Sequence, residues 1–404
     1  MHTSLQNSQL STPKKQGITN TLAWVFAVCS GLSVANIYYA QPLLDSIAQE
    51  FDLSTGVIGI VITVTQICYA LGLLLLVPLG DLIHRRKLII VQMSLSAAAL
   101  LGAGTAASHS VLFTALAAVG LFAVITQTFV AYAAHLSADS ERGAIVGRVT
   151  SAIVIGILLA RTVAGVMNDW LGWKSVYLLS ASLTFISVVV LIRMLPRQSF
   201  SQPKLSYLQL LRSTLRLYAE LRILRVRGLL AMFIFAAFSI LWTSIVLPLS
   251  APPLSLSHTS IGALGFAGIA GALAAASAGK QADRGYGQRT TGISLIILVL
   301  SWACIGLLHT SLWFLIVGII LLDLAVQAVH VTNQSMIYRV RPEAQSRLTA
   351  SYMIFYSIGS AGGSIASTQV YARAGWTGVC WLGAGISAIA LLIWLVDRKT
   401  DHLA

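Results

Sequence analysis

The sequence predicts an all-α membrane protein: twelve transmembrane helices arranged as two six-helix bundles. Three observations carry that expectation. Twelve apolar stretches fill the chain, each about 20 residues long and so, at a rise of ~1.5 Å per residue, able to cross a bilayer core. Basic residues alternate from one connection to the next. The two halves repeat chemistry-bearing residues at half-length spacing. Composition agrees, because 57% of the residues are hydrophobic and only 10% charged, too little charge to coat a water-soluble chain of this length.

The first six spans run from Thr21 to Ala40, Val57 to Leu79, Leu88 to Ala107, Val111 to Leu136, Ile145 to Met167 and Trp173 to Leu195. The second six run from Leu229 to Leu249, Ser260 to Ala278, Thr291 to Leu308, Leu312 to Met336, Leu348 to Tyr371 and Trp376 to Val396. Continuous apolar runs indicate helices, which satisfy their own backbone hydrogen bonds in lipid. A β-barrel would read as short alternating strands instead. Residues 1–20 form a polar tail without the short apolar core and cleavage site of a signal peptide, so the first span is expected to stay. Residues 21–195 and 229–396 are the two bundles, and 397–404 is a second tail. The 196–228 linker interleaves leucines with Arg212, Arg216, Arg222, Arg225 and Arg227, the pattern of an amphipathic surface helix. Cys29, Cys68, Cys304 and Cys380 fall one by one in spans and read as packing residues. Neither a disulfide nor a metal site is expected, and no cofactor.

The net charge of +13 would suit nucleic acid, but its distribution does not. With the N-terminus inside, 23 of the 26 Lys and Arg fall in inner segments, Lys174 and Arg373 in outer loops, and Arg161 within a span. That asymmetry places both termini in the cytoplasm and the basic clusters against lipid headgroups.

Asp81 follows the second span and Asp283 the eighth, 202 residues later. Gly172-Trp173 opens the sixth span and Gly375-Trp376 the twelfth, 203 residues later. Such repeats imply a cavity between two bundles, open alternately to either side. The loop after span two carries Gly80, Asp81, Arg85, Arg86 and Lys87, and the loop after span eight carries Gly279, Asp283, Arg284 and Arg289. Both resemble the signature loop of the major facilitator superfamily, although Val77, Leu82 and His84 depart from it in the first copy. In that family such loops latch one conformational state through the aspartate, so Asp81 and Asp283 are expected to form ion pairs that break and reform. The basic residues answer equally to the positive-inside rule. The segments Asn36–Leu44 and Asp323–Arg347 further resemble bacterial inner-membrane facilitators of efflux type. An arginine common in span four of drug/proton antiporters is missing here, Gln127 being the nearest polar residue, and so is their Gly-Pro motif in span five.

Polar groups inside spans are costly, on the order of 3 kcal/mol for a charge at the helix centre, and mark candidate sites. Asp323 lies about 16 Å into span ten, near the midplane. Gln327, His330 and Gln334 share its helical face and form a stripe toward the inner end. One reading makes Asp323, with His330, the proton-coupling site and the glutamines a relay or substrate contacts. The other is a satisfied interhelical hydrogen-bond cluster. Arg161, about 9 Å from the expected outer end of span five, either binds an anionic group, pairs with a carboxylate or snorkels to the interface. Asn36, Tyr39 and Gln41 in span one, Gln127 in span four, and Ser239, Trp242 and Thr243 in span seven are further candidates for the cavity, and ordinary packing also accounts for them.

The chain lacks a phosphate-binding Walker loop, a zinc motif and a nucleophile elbow. The function read from the sequence is therefore a monomeric secondary transporter, not an enzyme. It would move a small molecule across the bacterial inner membrane with protons as the coupling ion, by antiport efflux first and symport uptake second.

Overall fold

The computed structural model describes residues 18–138, 141–196, 206–274, 278, 281–341 and 345–401. Span one is Asn20–Tyr38, capped by the Thr19 hydroxyl, and continues through the turn Gln41–Leu43 into the short helix Leu44–Phe51. Spans two and three are Ile60–Leu75 and Arg85–Gly104. Span four is His109–Ala123 plus Ile125–Leu136, interrupted at Val124. Spans five and six are Arg142–Leu171 and Trp173–Met194. A capping box of Ser206 and Gln209 starts the linker helix Tyr207–Glu220, which buries Leu210, Thr214 and Leu217 and exposes Arg212 and Arg216.

The second half repeats the plan. Span seven is Arg222–Ser244, span eight His258–Ala274, span nine Gly287–Gly306 and span ten Leu312–Val340. Spans eleven and twelve are one run, Gln345–Asp401, broken at Gly375. Gly375 (φ 60°) and Gly172 (φ 78°) occupy a backbone region that disfavours side chains. The repeated Gly-Trp pair is thus the hinge of two equivalent hairpins, with Trp173 and Trp376 both buried behind it.

Packing follows the same repeat. In the first half span one lies on five, two on four, and three on four and six. In the second half seven lies on eleven, eight on ten, and nine on ten and twelve. The halves meet where span two packs on eleven and span five on eight, two contacts that exchange under the same internal symmetry. Glycines allow the close approach. A Cβ at Gly59 would stand 2.5 Å from the Ser364 carbonyl, and one at Gly262 2.5 Å from the Arg161 carbonyl.

These crossings all lie away from the face that carries both termini and the basic loops. Toward that far face Thr63 donates to the Ala361 carbonyl (2.9 Å) and Thr368 to Gly56 (3.4 Å), and deeper in, beside Arg161, Thr162 donates to Gly262 (3.0 Å). His258 is the strongest fastening. Its Nε2 lies 2.9 and 3.0 Å from the two Asp45 oxygens and its Nδ1 3.0 Å from Asp169 Oδ1. Asp169, at the end of span five, also accepts the backbone N–H of His258 (3.1 Å) and Thr259 (2.7 Å), capping span eight from the opposite half. Among the described residues, hydrogen bonds between the halves occur at mid-membrane and on the far face. Near the basic face, Gly143 and Gly147 of span five have nothing within reach of an added Cβ. On the basic face the linker helix takes the place of such bonds, Tyr207 donating to the Leu75 carbonyl of the first half (2.9 Å) and Tyr218 to the Ser351 carbonyl of the second (2.8 Å).

An imidazole flanked by two carboxylates can donate from both nitrogens only as the cation. The hydrogen bond to Asp45, aided by Asp169, holds His258 above the ordinary imidazole range against the opposing effect of burial. A raised value means that the clamp is fully present below the free imidazole pKa of about 6.5 and is lost as pH rises through the raised one. Spin labels at Gln49 and Pro253, in a cysteine-free background, should report a closed far face at pH 5 that opens as the pH is raised. His258→Gln should abolish that dependence. Gly165→Val drives a side chain into the His258 carbonyl and should open the far face at every pH, since overpacking costs about 1–3 kcal/mol.

Candidate functional site

Three groups from different spans, Arg161, Trp242 and Asp323, converge at mid-membrane. Span five extends four residues beyond its expected end, to Leu171, so Arg161 lies about 15 Å from that end rather than near the interface. It is 1% exposed, and snorkelling is ruled out. Its Nε donates to Gln41 Oε1 (3.0 Å), which the turn after span one presents. Its guanidinium carbon stands 3.9 Å from the centre of the Trp242 ring, 5.3 Å from Phe238 and 5.5 Å from Tyr38. A cation among aromatic faces out of water is stabilised by about 2 kcal/mol or more. Phe238 and Trp242 belong to the second half, so this contact also joins the bundles.

Trp242 turns its edge to the carboxylate. Its indole Nε1 donates to Asp323 Oδ1 (3.2 Å), and Asp323 is 2% exposed. Oδ2 has no hydrogen-bond partner and lies against the bare backbone of Gly268 in span eight. The terminal nitrogens of Arg161, NH1 and NH2, likewise have none. Cation and carboxylate thus share one indole ring, the cation on its face and the carboxylate at its edge, each with hydrogen-bonding capacity unused. Beside them Tyr38 and Tyr356 pair hydroxyl to hydroxyl across the halves.

From Asp323 the stripe on span ten leads to the basic face. Gln327, His330 and Gln334 are partly exposed where Asp323 is buried. His330 Nδ1 lies 3.0 Å from the Tyr352 hydroxyl, and its ring meets Phe235 edge-on at 5.1 Å. The stripe therefore grades from buried Asp323 to partly exposed polar side chains nearer the basic face.

Other sequence candidates lie elsewhere. Asn36 accepts from Ser180 of span six (2.6 Å), and buried Tyr39 packs beside it, both within the first bundle. Thr243 bonds Ser364 of span eleven (3.0 Å). Ser239 is buried on the same helix as Trp242, and Gln127, partly buried, faces Tyr69. In the first signature loop Arg85 donates to the Gly80 carbonyl (3.3 Å) and Arg86 to Ile192 (2.6 Å), while Lys87 is exposed. In the second, Arg284 and Arg289 are exposed and Gly285 takes φ 91°. Gly279 and the side chains of Asp81 and Asp283 lie outside the described residues.

Two groups escaped the sequence reading. Arg227 sits inside span seven, 1% exposed, and donates to Thr291 (3.1 Å) and Asn333 (3.3 Å). Its place near a basic span end made it look like one more orientation signal. The His258 clamp joins residues 89 and 213 positions apart, and no local pattern announces it. Among the described residues no cluster of His, Cys, Asp and Glu could hold a metal.

The family model of the Major Facilitator Superfamily matches residues 24–277 and 228–404. The chain is 44% identical over 383 residues to the transporter YgaY of Escherichia coli O157:H7, covering 95% of this chain and 97% of that one. It is 23% identical over 387 residues to the MFS-type transporter YybF of Bacillus subtilis, covering 93% and 92%. Among solved structures, a bacterial homolog of the human lysosomal transporter Spinster, inward-facing, superposes with a TM-score of 0.77 at 14% identity, over 94% of this chain and 97% of that one. The human organic anion transporter MFSD10 gives 0.69 at 16% identity, over 92% and 98%. These likenesses at low identity bear on the fold alone. With the family match over nearly the whole length and the paired bundles already described, the chain belongs to the major facilitator superfamily, a family of multi-pass membrane transporters.

Proposed function

We propose that this transporter is a proton-coupled secondary carrier of a small organic solute, working in a bacterial inner membrane with both termini in the cytoplasm. The observation that carries the reading is Asp323, a carboxylate shut away from water at the join of the two halves with one oxygen unbonded. A charge so placed is costly and rarely persists without a task. The partly exposed stripe of Gln327, His330 and Gln334 gives protons a polar path from Asp323 toward the cytoplasm. Because Trp242 touches both Asp323 and Arg161, a change of charge at Asp323 is felt by the guanidinium that fastens the first half to the second. The far-face crossings hold the cytoplasm-open state, and the loops of Asp81 and Asp283 hold the opposite one by the latch that their family resemblance implies.

Export by antiport is the first direction, on the resemblance to efflux-type relatives, and it requires solute and proton to exclude each other at Asp323. Co-transport is the second direction, and the unbonded nitrogens of Arg161 favour it.

In liposomes under an imposed pH gradient, Asp323→Asn should abolish uphill accumulation while solute exchange at equal pH stays within a few-fold of wild type. Undiminished pH-driven accumulation in that variant would exclude Asp323 as the proton site. Trp242→Phe keeps a ring over Arg161 but removes the N–H to Asp323. It should retain exchange and lose at least half of the pH-driven accumulation.

A further inference from the structure

Among the described residues the fully buried cations are Arg161 and Arg227, and they differ. Arg227 directs its guanidinium at Thr291 and Asn333. Arg161 spends only Nε, on Gln41, and both terminal nitrogens lie buried without an acceptor. The Trp242, Phe238 and Tyr38 rings stabilise its charge, but a stacked guanidinium directs its N–H bonds outward in its own plane, past the ring it covers. Four N–H donors are thus left in a fixed fork, and an unmet donor on a charged group is costly. The partner that matches a guanidinium fork is a planar oxyanion held by two parallel bonds. The three rings supply an apolar surface for the body attached to it.

Asp323 sets the other condition. The charged and titratable groups around it are Arg161 from span five across the Trp242 indole, Tyr38 from span one with its partner Tyr356 from span eleven, and His330 two turns along its own helix. Span eight contributes only Gly268. An anion on the Arg161 fork shares the Trp242 indole with this carboxylate, and two negative charges that close in a dry site disfavour each other. Protonating Asp323 removes the conflict.

We propose that the transported solute is a small organic acid, its carboxylate seated on Arg161 NH1 and NH2 and its apolar body against Tyr38, Phe238 and Trp242, and that it binds together with a proton on Asp323. This deepens the secondary-transport reading and rests on it, and it selects co-transport over exchange of solute for proton.

The test uses the purified full chain and matched probes: hexanoate, benzoate and phenylacetate against hexylamine, benzylamine and phenethylamine. Thermal unfolding reads binding, and a pH-indicator dye in weakly buffered solution reads protons taken up or released. At least one acid should raise the unfolding temperature while its amine does not. Binding should take up protons, with affinity falling by up to about tenfold per pH unit as the pH rises, the limit for one linked proton. Arg161→Gln should weaken the acid at least tenfold, and Arg161→Lys, which keeps the charge, should weaken it less. Should Arg161→Gln fail to fold, the wild-type preference and the sign of the proton change still decide. The proposal is overturned if no acid binds, if an amine binds in place of its acid, if acid binding releases protons, or if acid affinity survives Arg161→Gln unchanged. An amine that binds with proton release leaves the transport reading standing and removes the acid. The Asp323→Asn gradient experiment judges the transport reading separately.

Discussion

Lipid gives a buried charge nowhere to go, and this chain places two of them at the same depth from opposite halves. Arg161 comes from span five and Asp323 from span ten, and the Trp242 indole meets the first with its face and the second with its edge. The guanidinium leans on rings from both bundles, so the pair does not belong to either half alone. Much of the surrounding structure serves that contact. The bare backbones of Gly262, Gly265 and Gly268 bring span eight against Arg161, Leu158 and Asp323, and Gln41 fixes the arginine's rotation through Nε.

Because the contact joins the two halves at mid-membrane, it is where charge can control shape. The far-face crossings are made of glycine contacts and a few hydrogen bonds, which are individually weak and can separate without exposing a large apolar core. The His258 clamp adds a fastening of a different kind, one that depends on its own charge. On the proposed reading two titratable devices lie along one path: a carboxyl buried at mid-membrane and an imidazole at the far face.

Much of this architecture was legible in the sequence. Hydropathy located the spans because a membrane helix must be apolar along a length fixed by the bilayer. The alternation of basic residues and the paired Gly-Trp motifs gave the order and the repeat. Asp323 and Arg161 stood out for the same reason, as exceptions to that apolarity. What could not be read was their meeting, which depends on how spans five, seven and ten pack. The depth of Arg161 was misjudged because Asn168 and Asp169 look like loop residues, whereas the helix carries them to the far face, where Asp169 caps span eight. Asn36 was singled out for polarity alone, and it is spent on Ser180 inside one bundle. Arg227 was hidden by the positive-inside rule, which explains any basic residue near a span end without asking which way it turns.

The central claim is that Asp323 gains and loses a proton within the working cycle. Infrared difference spectroscopy of the wild type against Asp323→Asn, recorded as pH is stepped across the physiological range, tests it without requiring a known solute. The account predicts a protonated-carboxyl carbonyl band that appears on acidification, is absent from the variant and shifts when Trp242 is replaced by Phe. A carboxylate that stays ionised throughout, with no such band at any pH, would contradict it.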